Sequence, residues 1–352
     1  MKSKFNNVLE MVGNTPVLKI NNIDTGKCDL YVKMESLNPF GSIKDRVGLK
    51  MIQDAEAQGL IKEGSTIIES TAGNTGLGLA LAAKLKGYKL ILVIPDKMSE
   101  EKIRHLEAMG VEIIMTRSDV ENGHPEHYQS IAEKLLKSTP NSFFANQFEN
   151  KSNPQVHFET TGPEIWEQME GNIDAFVAGV GTGGTISGVG RFLKSKNPNV
   201  RIVIADPVGS VVADAVNTGE YKYEGGSWSV EGIGEDYIPA NLNLDIIDEG
   251  IYVSDKEAFN MIDQLLQKEG ILAGSSCGTL VDAAIKWCKA QEERKTVVTL
   301  ICDTGNKYLS KAFNKDWVKE NINLKWRKIK TKDLRPGPYM PDKKLTRQLV
   351  LV

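Results

Sequence analysis

Residues 66–86 read TIIESTAGNTGLGLALAAKLK, and this stretch contains the pattern that decides the fold. A short β-branched run, Thr66–Glu69, predicts a buried strand. A polar loop comes next, and the stretch Gly76–Lys86, which is rich in Ala and Leu, predicts a helix. Strand, loop and helix in this order are typical of a parallel sheet covered by helices, in which ligands bind beyond the carboxyl ends of the strands.

The same alternation continues along most of the chain. Further strands are predicted at Lys89–Ile94, Val111–Thr116, Ser142–Ala145, Ala175–Ala178, Arg201–Ala205 and Thr296–Ile301. Further helices are predicted at Glu100–Met109, Pro125–Leu136, Ile186–Lys194 and Val281–Gln291. Because 352 residues exceed what one hydrophobic core normally holds, we predict an α/β fold of two lobes with mostly parallel sheets. A change in composition near Asn150–Pro154 marks the boundary between the lobes.

Composition narrows the class of protein. The chain has 43 Lys and Arg residues against 46 Asp and Glu residues, so neither nucleic acid nor an anionic membrane is an expected partner. Neither a membrane span nor a signal peptide is recognisable. No cysteine pair has CxxC spacing and no histidine lies in a metal-ligand pattern, so we expect reduced thiols, no metal and a cytoplasmic protein. These residues are Cys28, Cys277, Cys288, Cys302, His105, His124, His127 and His157.

The first of three loops with chemical potential reads NPFGSIKDR over residues 38–46. Proline and glycine predict a turn, and Ser42 predicts the cap of a helix whose first turn contains Lys44. The partial positive charge of a helix N-terminus disfavours a lysine cation, which makes the amine available for Schiff-base chemistry. Taken alone, the pattern is also that of an exposed lysine at the start of a helix.

The second loop, residues 70–76, lies between the strand and the helix with which the argument began. Its hydroxyls, its amide and its backbone N–H groups at a helix N-terminus are typical of a seat for a carboxylate or a phosphate. A polar turn that supplies its own helix caps is the alternative.

The third loop reads GVGTGGT over residues 179–185. Glycines this dense let the backbone approach an anion closely, and the threonine hydroxyls add donors. Gly179, Gly181 and Gly184 also fit the G-x-G-x-x-G pattern of dinucleotide folds, and Asp206 ends the next strand, where such folds have a ribose-binding acid. From the residues alone, a phosphate monoester and a dinucleotide both remain open.

Taken together, the loops resemble the fold-type II pyridoxal-phosphate family of cysteine synthases and cystathionine β-synthases. The likeness extends from about Val12 to Trp317 and includes six motifs in order. They are VGNTP (12–16), the Lys44 loop, the Asn74 loop, TGPEIW (161–166), residues 181–185 and GSSCG (274–278). A dehydrogenase needs only the third loop and leaves the other motifs unexplained.

The resemblance implies how the chain is divided. Residues 41–149 are expected to form a smaller, mobile lobe, and residues 1–40 with 150–320 a larger lobe that binds the cofactor phosphate. The active site is expected in the cleft between the lobes. Residues 321–352 are then a C-terminal extension or the stub of a linker. The family forms dimers, so a homodimer is expected.

The resemblance also implies the cofactor, pyridoxal 5′-phosphate, and the residues that bind it. Lys44, the catalytic residue, is expected to hold it covalently, Asn74 to bond its ring hydroxyl and Ser276 to face its pyridine nitrogen. Its phosphate is expected against Gly181, Thr182, Gly183, Gly184 and Thr185. A neutral serine hydroxyl leaves the cofactor a weaker electron sink, which suits β-elimination and disfavours transamination.

In the same reading, the carboxylate of the first amino acid lies in the second loop. The expected substrate-binding residues are Thr71, Ala72, Gly73 and Thr75, with Gln147 as a further donor. Lys44 takes the α-proton as general base, the β-substituent leaves to give an aminoacrylate, and a thiol then adds. Ala72 departs from the family, which commonly has serine there, so the seat has one hydroxyl fewer.

Two segments resemble the cystathionine-forming branch. In SVEGIGEDYIP, residues 229–239, Glu231, Glu235 and Asp236 could receive the amino group of a second amino acid, with Gly232 and Tyr237 beside them. A solvated acidic loop is the alternative. The second segment is CDTGNKYLS, residues 302–310.

We therefore expect a lyase that joins L-serine and L-homocysteine into L-cystathionine. A cysteine synthase using O-acetylserine and sulfide is the alternative, and an NAD-dependent dehydrogenase is a distant one. A catalytically silent relative is a further alternative, against which the retention of Lys44, Asn74, Ser276 and residues 181–185 argues. We expect neither the haem segment nor the regulatory domain of some members, because the family core begins at once and little sequence follows Trp317.

Overall fold

The computed structural model describes residues 4–71, 73–96, 100–117, 120, 124–220 and 226–322. Ala72 of the second loop and nearly all of the predicted C-terminal extension, residues 323–352, lie outside the described residues. Within the described part of the chain, strands and helices alternate as predicted.

The strands and helices have these bounds. The strands are β1 (Val17–Lys19), β2 (Asp29–Lys33), β3 (Thr66–Ser70), β4 (Lys89–Pro95), β5 (Glu112–Thr116), β6 (Ser142–Phe144), β7 (Ala175–Gly179), β8 (Arg201–Pro207), β9 (Glu249–Val253) and β10 (Thr296–Leu300). The helices are α1 (Lys44–Ala57), α2 (Asn74–Lys86), α3 (Glu100–Ala108), α4 (Tyr128–Ser138), α5 (Ser152–Val156), α6 (Gly162–Gln168), α7 (Gly184–Lys196), α8 (Val212–Thr218), α9 (Asp255–Gln264), α10 (Ser275–Lys289) and α11 (Lys315–Asn321).

These strands form two sheets. The larger has the order β1-β2-β10-β7-β8-β9, with β1 antiparallel to β2 and the other pairings parallel. The smaller has the order β5-β4-β3-β6 and is parallel throughout. The predicted fold class is thus confirmed, with mostly parallel sheets wrapped by helices. The assignment of residues 41–149 to one lobe and of residues 1–40 with 150–320 to the other, and the mobility of the first lobe, remain predictions.

The differences from the predicted elements are local. Helix α10 begins at Ser275 rather than at Val281, because its first turn consists of small and polar residues that resemble a loop. Helix α4 begins at Tyr128 rather than at Pro125, with His127 as its N-cap residue. The sequence does not predict strands β1, β2 and β9, because none of them has the apolar run of a buried central strand.

Helices α1 and α2 approach each other through glycines. A Cβ atom at Gly78 would lie 2.2 Å from the carbonyl oxygen of Lys44, and one at Gly48 would lie 2.3 Å from the carbonyl carbon of Gly78. The two backbones therefore cross with no room for a side chain. This crossing holds the start of α1, which contains Lys44, against the helix that begins at Asn74.

An ion cluster fixes α1 from its other side. The guanidinium of Arg46 donates to both carboxylate oxygens of Glu35, at 2.8 and 2.9 Å, and to both of Glu164, at 2.6 Å. Glu164 also accepts from Lys33 at 2.7 Å, and Glu35 from the hydroxyl of Thr15 at 2.6 Å. Two cations thus balance two carboxylates, and bidentate geometry of this kind is what a buried pair needs to offset its desolvation.

We expect Gly78→Ala to destabilise the fold by about 1–3 kcal/mol, because the new methyl group forces the two helix backbones apart. Urea unfolding followed by circular dichroism measures the change. Leu85→Ala, on the exposed side of the same helix, is the matched control and should stay within about 0.5 kcal/mol of the wild type. Equal stability of Gly78→Ala and the wild type would show that the helix contact is not closely packed.

Candidate active site

Lys44 is the first residue of α1 and lines a cavity of about 720 Å³. Its amine forms no hydrogen bond or ion pair with any residue that the structure describes. Burial lowers the pKa of Lys44 below its ordinary value, against the opposing effect of Cys302 and Asp303. The expected cap, Ser42, lies one residue before the N-cap residue Ile43, and its hydroxyl accepts from the N–H of Lys44 at 3.3 Å. The result is an amine that faces a cavity and whose cationic form burial disfavours.

Asn74, the first residue of α2, is fixed by two charged side chains. Its amide nitrogen donates to Asp303 at 2.7 Å, and its amide oxygen accepts from Lys307 at 2.7 Å. The hydroxyl of Tyr308 donates to the same Asp303 oxygen at 2.7 Å. Burial lowers the pKa of Lys307 to about 8. Both polar atoms of the Asn74 amide are therefore oriented by the segment that follows β10.

The glycine loop at residues 179–185 connects β7 to α7. Gly183 has φ +79°, and α7 begins at Gly184. The hydroxyl of Thr182 accepts from the amide of Asn153 at 2.8 Å, and that of Thr185 lies 3.2 Å from Nε2 of His157. Burial lowers the pKa of His157 well below its usual value, so the ring is neutral. Side chains from α5 and from the turn after it thus contact the loop threonines and help to fix the loop.

This loop fits the phosphate of the cofactor. Gly181, Thr182, Gly183 and Thr185 line the same cavity as Lys44. A Cβ atom at Gly181 would lie 2.5 Å from the carbonyl oxygen of Gly232, so the backbone itself forms this wall. Backbone N–H groups at the start of a helix, with two hydroxyls beside them, are suited to a phosphate dianion. Gly184 is the exception, since it packs against Asn153 and is not among the cavity-lining residues.

The position of Asp206 argues against the dinucleotide alternative, which requires this residue to bind a ribose. Asp206 lies in β8, is fully buried, and accepts a hydrogen bond from the N–H of Ala213 at 2.8 Å. It therefore binds the backbone near the start of α8 and is not among the residues that line the cavity. A ribose in the cavity would not reach it.

Ser276 lies in the first turn of α10 and lines the cavity. Cys302 also lines the cavity. The influence of the Cys277 thiol, together with burial, raises the pKa of Cys302 well above its ordinary value. Cys302 therefore stays a neutral thiol and does not compete with Lys44 as a nucleophile. All four cysteines are unpaired in the structure.

The expected carboxylate seat lies at the carboxyl end of β3. Thr71, Gly73, Thr75 and Gln147 all line the cavity. The side-chain oxygen of Gln147 accepts from the Thr75 hydroxyl at 2.5 Å, so its NH₂ group is the end left to donate. The buried carboxyl of Glu69 accepts from the backbone N–H of Gln147 at 3.3 Å, and burial raises the pKa of Glu69 to about 8.

The acidic loop at residues 229–239 is only partly in the cavity wall. Glu231, Gly232 and Glu235 line the cavity, whereas Tyr237 is 40% exposed and packs near the ring of Phe148 instead. The carboxylate of Glu231 already has two cation partners, Lys102 at 2.5 Å and Lys311 at 2.8 Å. We therefore do not propose that Glu231 binds a substrate ammonium group.

Most of the residues predicted from the sequence thus meet in one cavity, with Gly184 and Tyr237 outside its lining and Ala72 outside the described residues. Sequence reasoning missed the residues that orient them. These are Asn153, His157, Asp303, Lys307 and Tyr308. They are distant from the loops in sequence, and the only available signal was the resemblance of residues 302–310 to one branch of the family.

Comparisons with known proteins agree with this geometry. The sequence model of a family described as pyridoxal-phosphate dependent enzyme matches residues 8–303. A protein named cystathionine beta-synthase from Apis mellifera is 46% identical over 314 residues, 88% of this chain and 62% of its own length. One of the same name from Dictyostelium discoideum is 41% identical over 320 residues, 90% of this chain and 63% of its own length. The chain spans less than two thirds of these relatives.

A solved structure resembles most of this chain. A hydrogen sulfide-producing enzyme from Fusobacterium nucleatum is 39% identical, with a TM-score of 0.80, and the match covers 87% of this chain and 100% of that one. No helix among the described residues combines the length and the apolar character needed to cross a membrane.

The raised pKa of Glu69 predicts how stability depends on pH. Between its ordinary value of 4.5 and about 8, the folded protein holds a proton on Glu69 that the unfolded chain has lost, so stability falls as pH rises. We expect Glu69→Gln to remove this pH-dependent contribution to the free energy of unfolding. Between about pH 6 and pH 8, the free energy of unfolding of the wild type should therefore fall by about 2 kcal/mol more than that of the variant. Urea unfolding of both proteins across this range measures it, and parallel pH profiles would contradict the assignment.

Proposed function

The chain belongs to the family of pyridoxal-phosphate-dependent enzymes, and on that premise we propose that it joins L-serine and L-homocysteine into L-cystathionine. The reaction replaces the hydroxyl at the β-carbon of serine by the thiol sulfur of homocysteine. The names of the curated relatives support this choice of reaction. The observation that carries it is the position of residues 231–235 in the wall of the cavity that Lys44 faces. A charged second amino acid needs polar partners there, and sulfide does not.

Lys44 is proposed both to hold the cofactor and to move the protons of the reaction. When bound, pyridoxal phosphate supplies an electron-withdrawing ring that stabilises negative charge at the substrate α-carbon. Nζ of Lys44 faces the cavity, and it would take the proton from the α-carbon of an amino acid bound at the cofactor. Hydroxide is a poor leaving group, and the same Nζ, now an ammonium, can give the departing oxygen a proton.

Residues around the cavity are proposed to orient the serine. Backbone N–H groups at the start of α2, the Thr71 and Thr75 hydroxyls and the NH₂ group of Gln147 are suited to receive its carboxylate. Ser276 lies in the first turn of α10, where the helix dipole would disfavour protonation of a cofactor ring nitrogen held there. The cofactor would then be a weak electron sink, which would favour loss of the β-substituent over transamination.

A second candidate is the exchange of sulfide at the same carbon. The solved relative named as a hydrogen sulfide-producing enzyme favours it. In that case O-acetylserine with sulfide, or cysteine as a sulfide donor, would use the same Lys44 and the same carboxylate seat. The two candidates differ in the group that enters or leaves at the β-carbon.

A cytoplasmic homodimer remains part of the proposal. The four unpaired cysteines are in keeping with a reducing compartment. The dimer rests on the resemblance to the family.

We expect purified protein loaded with pyridoxal phosphate to change its visible spectrum on addition of L-serine and to recover it on addition of L-homocysteine. Mass spectrometry should then find cystathionine. Lys44→Ala is the control and should form no product, because it lacks the group that moves the protons.

Two results would count against the proposal. If serine leaves the spectrum unchanged while O-acetylserine and sulfide give cysteine, the protein is a cysteine synthase. If neither amino acid changes the spectrum of the loaded protein, the assignment of a β-replacement reaction is wrong.

A further inference from the structure

The acidic residues of the loop at 229–239 have unlike surroundings. Glu231 is neutralised by Lys102 and Lys311, and Asp236 is exposed and not among the cavity-lining residues. Glu235 lines the cavity, and its carboxylate forms no hydrogen bond or ion pair with any described residue. Of these carboxylates, Glu235 alone faces the cavity without a cation partner in the described part of the chain.

The backbone of Glu235 is held in place. Its N–H donates to the hydroxyl of Ser210 at 3.1 Å. Its carbonyl oxygen accepts from that same hydroxyl at 3.1 Å and from the N–H of Val211 at 3.0 Å. Three hydrogen bonds therefore fix where the side chain begins, although nothing described fixes its end. Such an arrangement is suited to a ligand that supplies the missing partner.

The surroundings of Glu235 are negative. Burial is the largest effect on its pKa, and Asp236 and Asp206 add to it, so that the pKa of Glu235 rises to about 8. The charge of Glu235 acts in turn on the phenols of Tyr128 and Tyr237, whose pKa values it raises. No cation among the described residues offsets this negative charge, so a positively charged ligand would stabilise the ionised carboxylate of Glu235.

We propose that Glu235 binds the α-ammonium group of the second amino acid and so makes the enzyme select amino-acid thiols over simple thiols. This inference rests on the proposed function, since it presumes a second substrate that is an amino acid. In the proposed function, the cofactor would engage the amino group of the first substrate, and Thr71, Thr75 and Gln147 would receive its carboxylate. Glu235 therefore acts on the second substrate alone.

The test compares L-homocysteine with 4-mercaptobutanoate, which has the same thiol and carboxylate but no amino group. With saturating serine, Glu235→Gln should raise the KM for homocysteine by about tenfold to a hundredfold, the range expected for one charge-assisted hydrogen bond. Its KM for 4-mercaptobutanoate should stay within about twofold of the wild type. The preference of the wild type for homocysteine should thus disappear in the variant.

Two controls separate this role from a structural one. The spectral change caused by serine, and its dependence on serine concentration, should be the same in Glu235→Gln and the wild type. Glu149→Gln removes another carboxylate nearby, one that is exposed and not among the cavity-lining residues, and should leave both thiol KM values unchanged. Glu235→Asp, which keeps the charge, should retain part of the preference and serves if the glutamine variant does not fold.

Three outcomes would overturn the inference. If Glu235→Gln raises the KM for both thiols equally, Glu235 acts as a base or a structural residue. If it changes the KM for neither thiol, the ammonium group binds elsewhere. In both cases cystathionine formation by the wild type leaves the proposed function intact, whereas absence of cystathionine from the wild-type reaction removes the proposed function and this inference together.

Discussion

The rest of the site depends on the interaction of the buried Arg46 guanidinium with two carboxylates. It joins α1 to Glu35, after β2, and to Glu164 in α6, through four hydrogen bonds. Removal of one partner from such a cluster leaves a buried charge uncompensated, which typically costs about 3–5 kcal/mol. Because Arg46 and Lys44 share the first turn of α1, the charge balance of the cluster also fixes the start of the helix from which the reactive amine projects.

The contacts on the opposite side of α1 complete this constraint. The glycine crossing brings α2 against the Lys44 backbone, and Asp303 with Lys307 orients the side chain at the start of α2. Lys44 and Asn74 therefore occupy fixed positions in the wall of one cavity. The lowered pKa of Lys44 follows from the same packing, because burial disfavours its cation and no described carboxylate forms an ion pair with it. Stability and chemistry thus depend on the same contacts.

Much of the fold and of the cavity could be predicted from the sequence because the signals were local. Strands β3, β4, β7 and β8 are short apolar runs, and the loops after β3 and β7 have the polar and glycine composition that anion sites require. The supporting residues could not be predicted in this way. Asp303 meets Asn74, and His157 meets Thr185, only after distant parts of the chain have packed together. The charge of Glu231 was visible in the sequence, but its neutralisation by Lys102 and Lys311 depended on tertiary contacts.

The central claim is that Lys44 is the residue that holds pyridoxal phosphate. Four described lysines bear on this claim, since Lys44, Lys102 and Lys311 line the cavity and Lys307 contacts Asn74 beside it. Sodium borohydride reduction of the loaded protein, followed by proteolysis and mass spectrometry, identifies the lysine that holds the cofactor. The account predicts a single phosphopyridoxyl group, on the peptide that contains Lys44. Attachment to Lys102, Lys307 or Lys311, or a protein that takes up no cofactor, would contradict it.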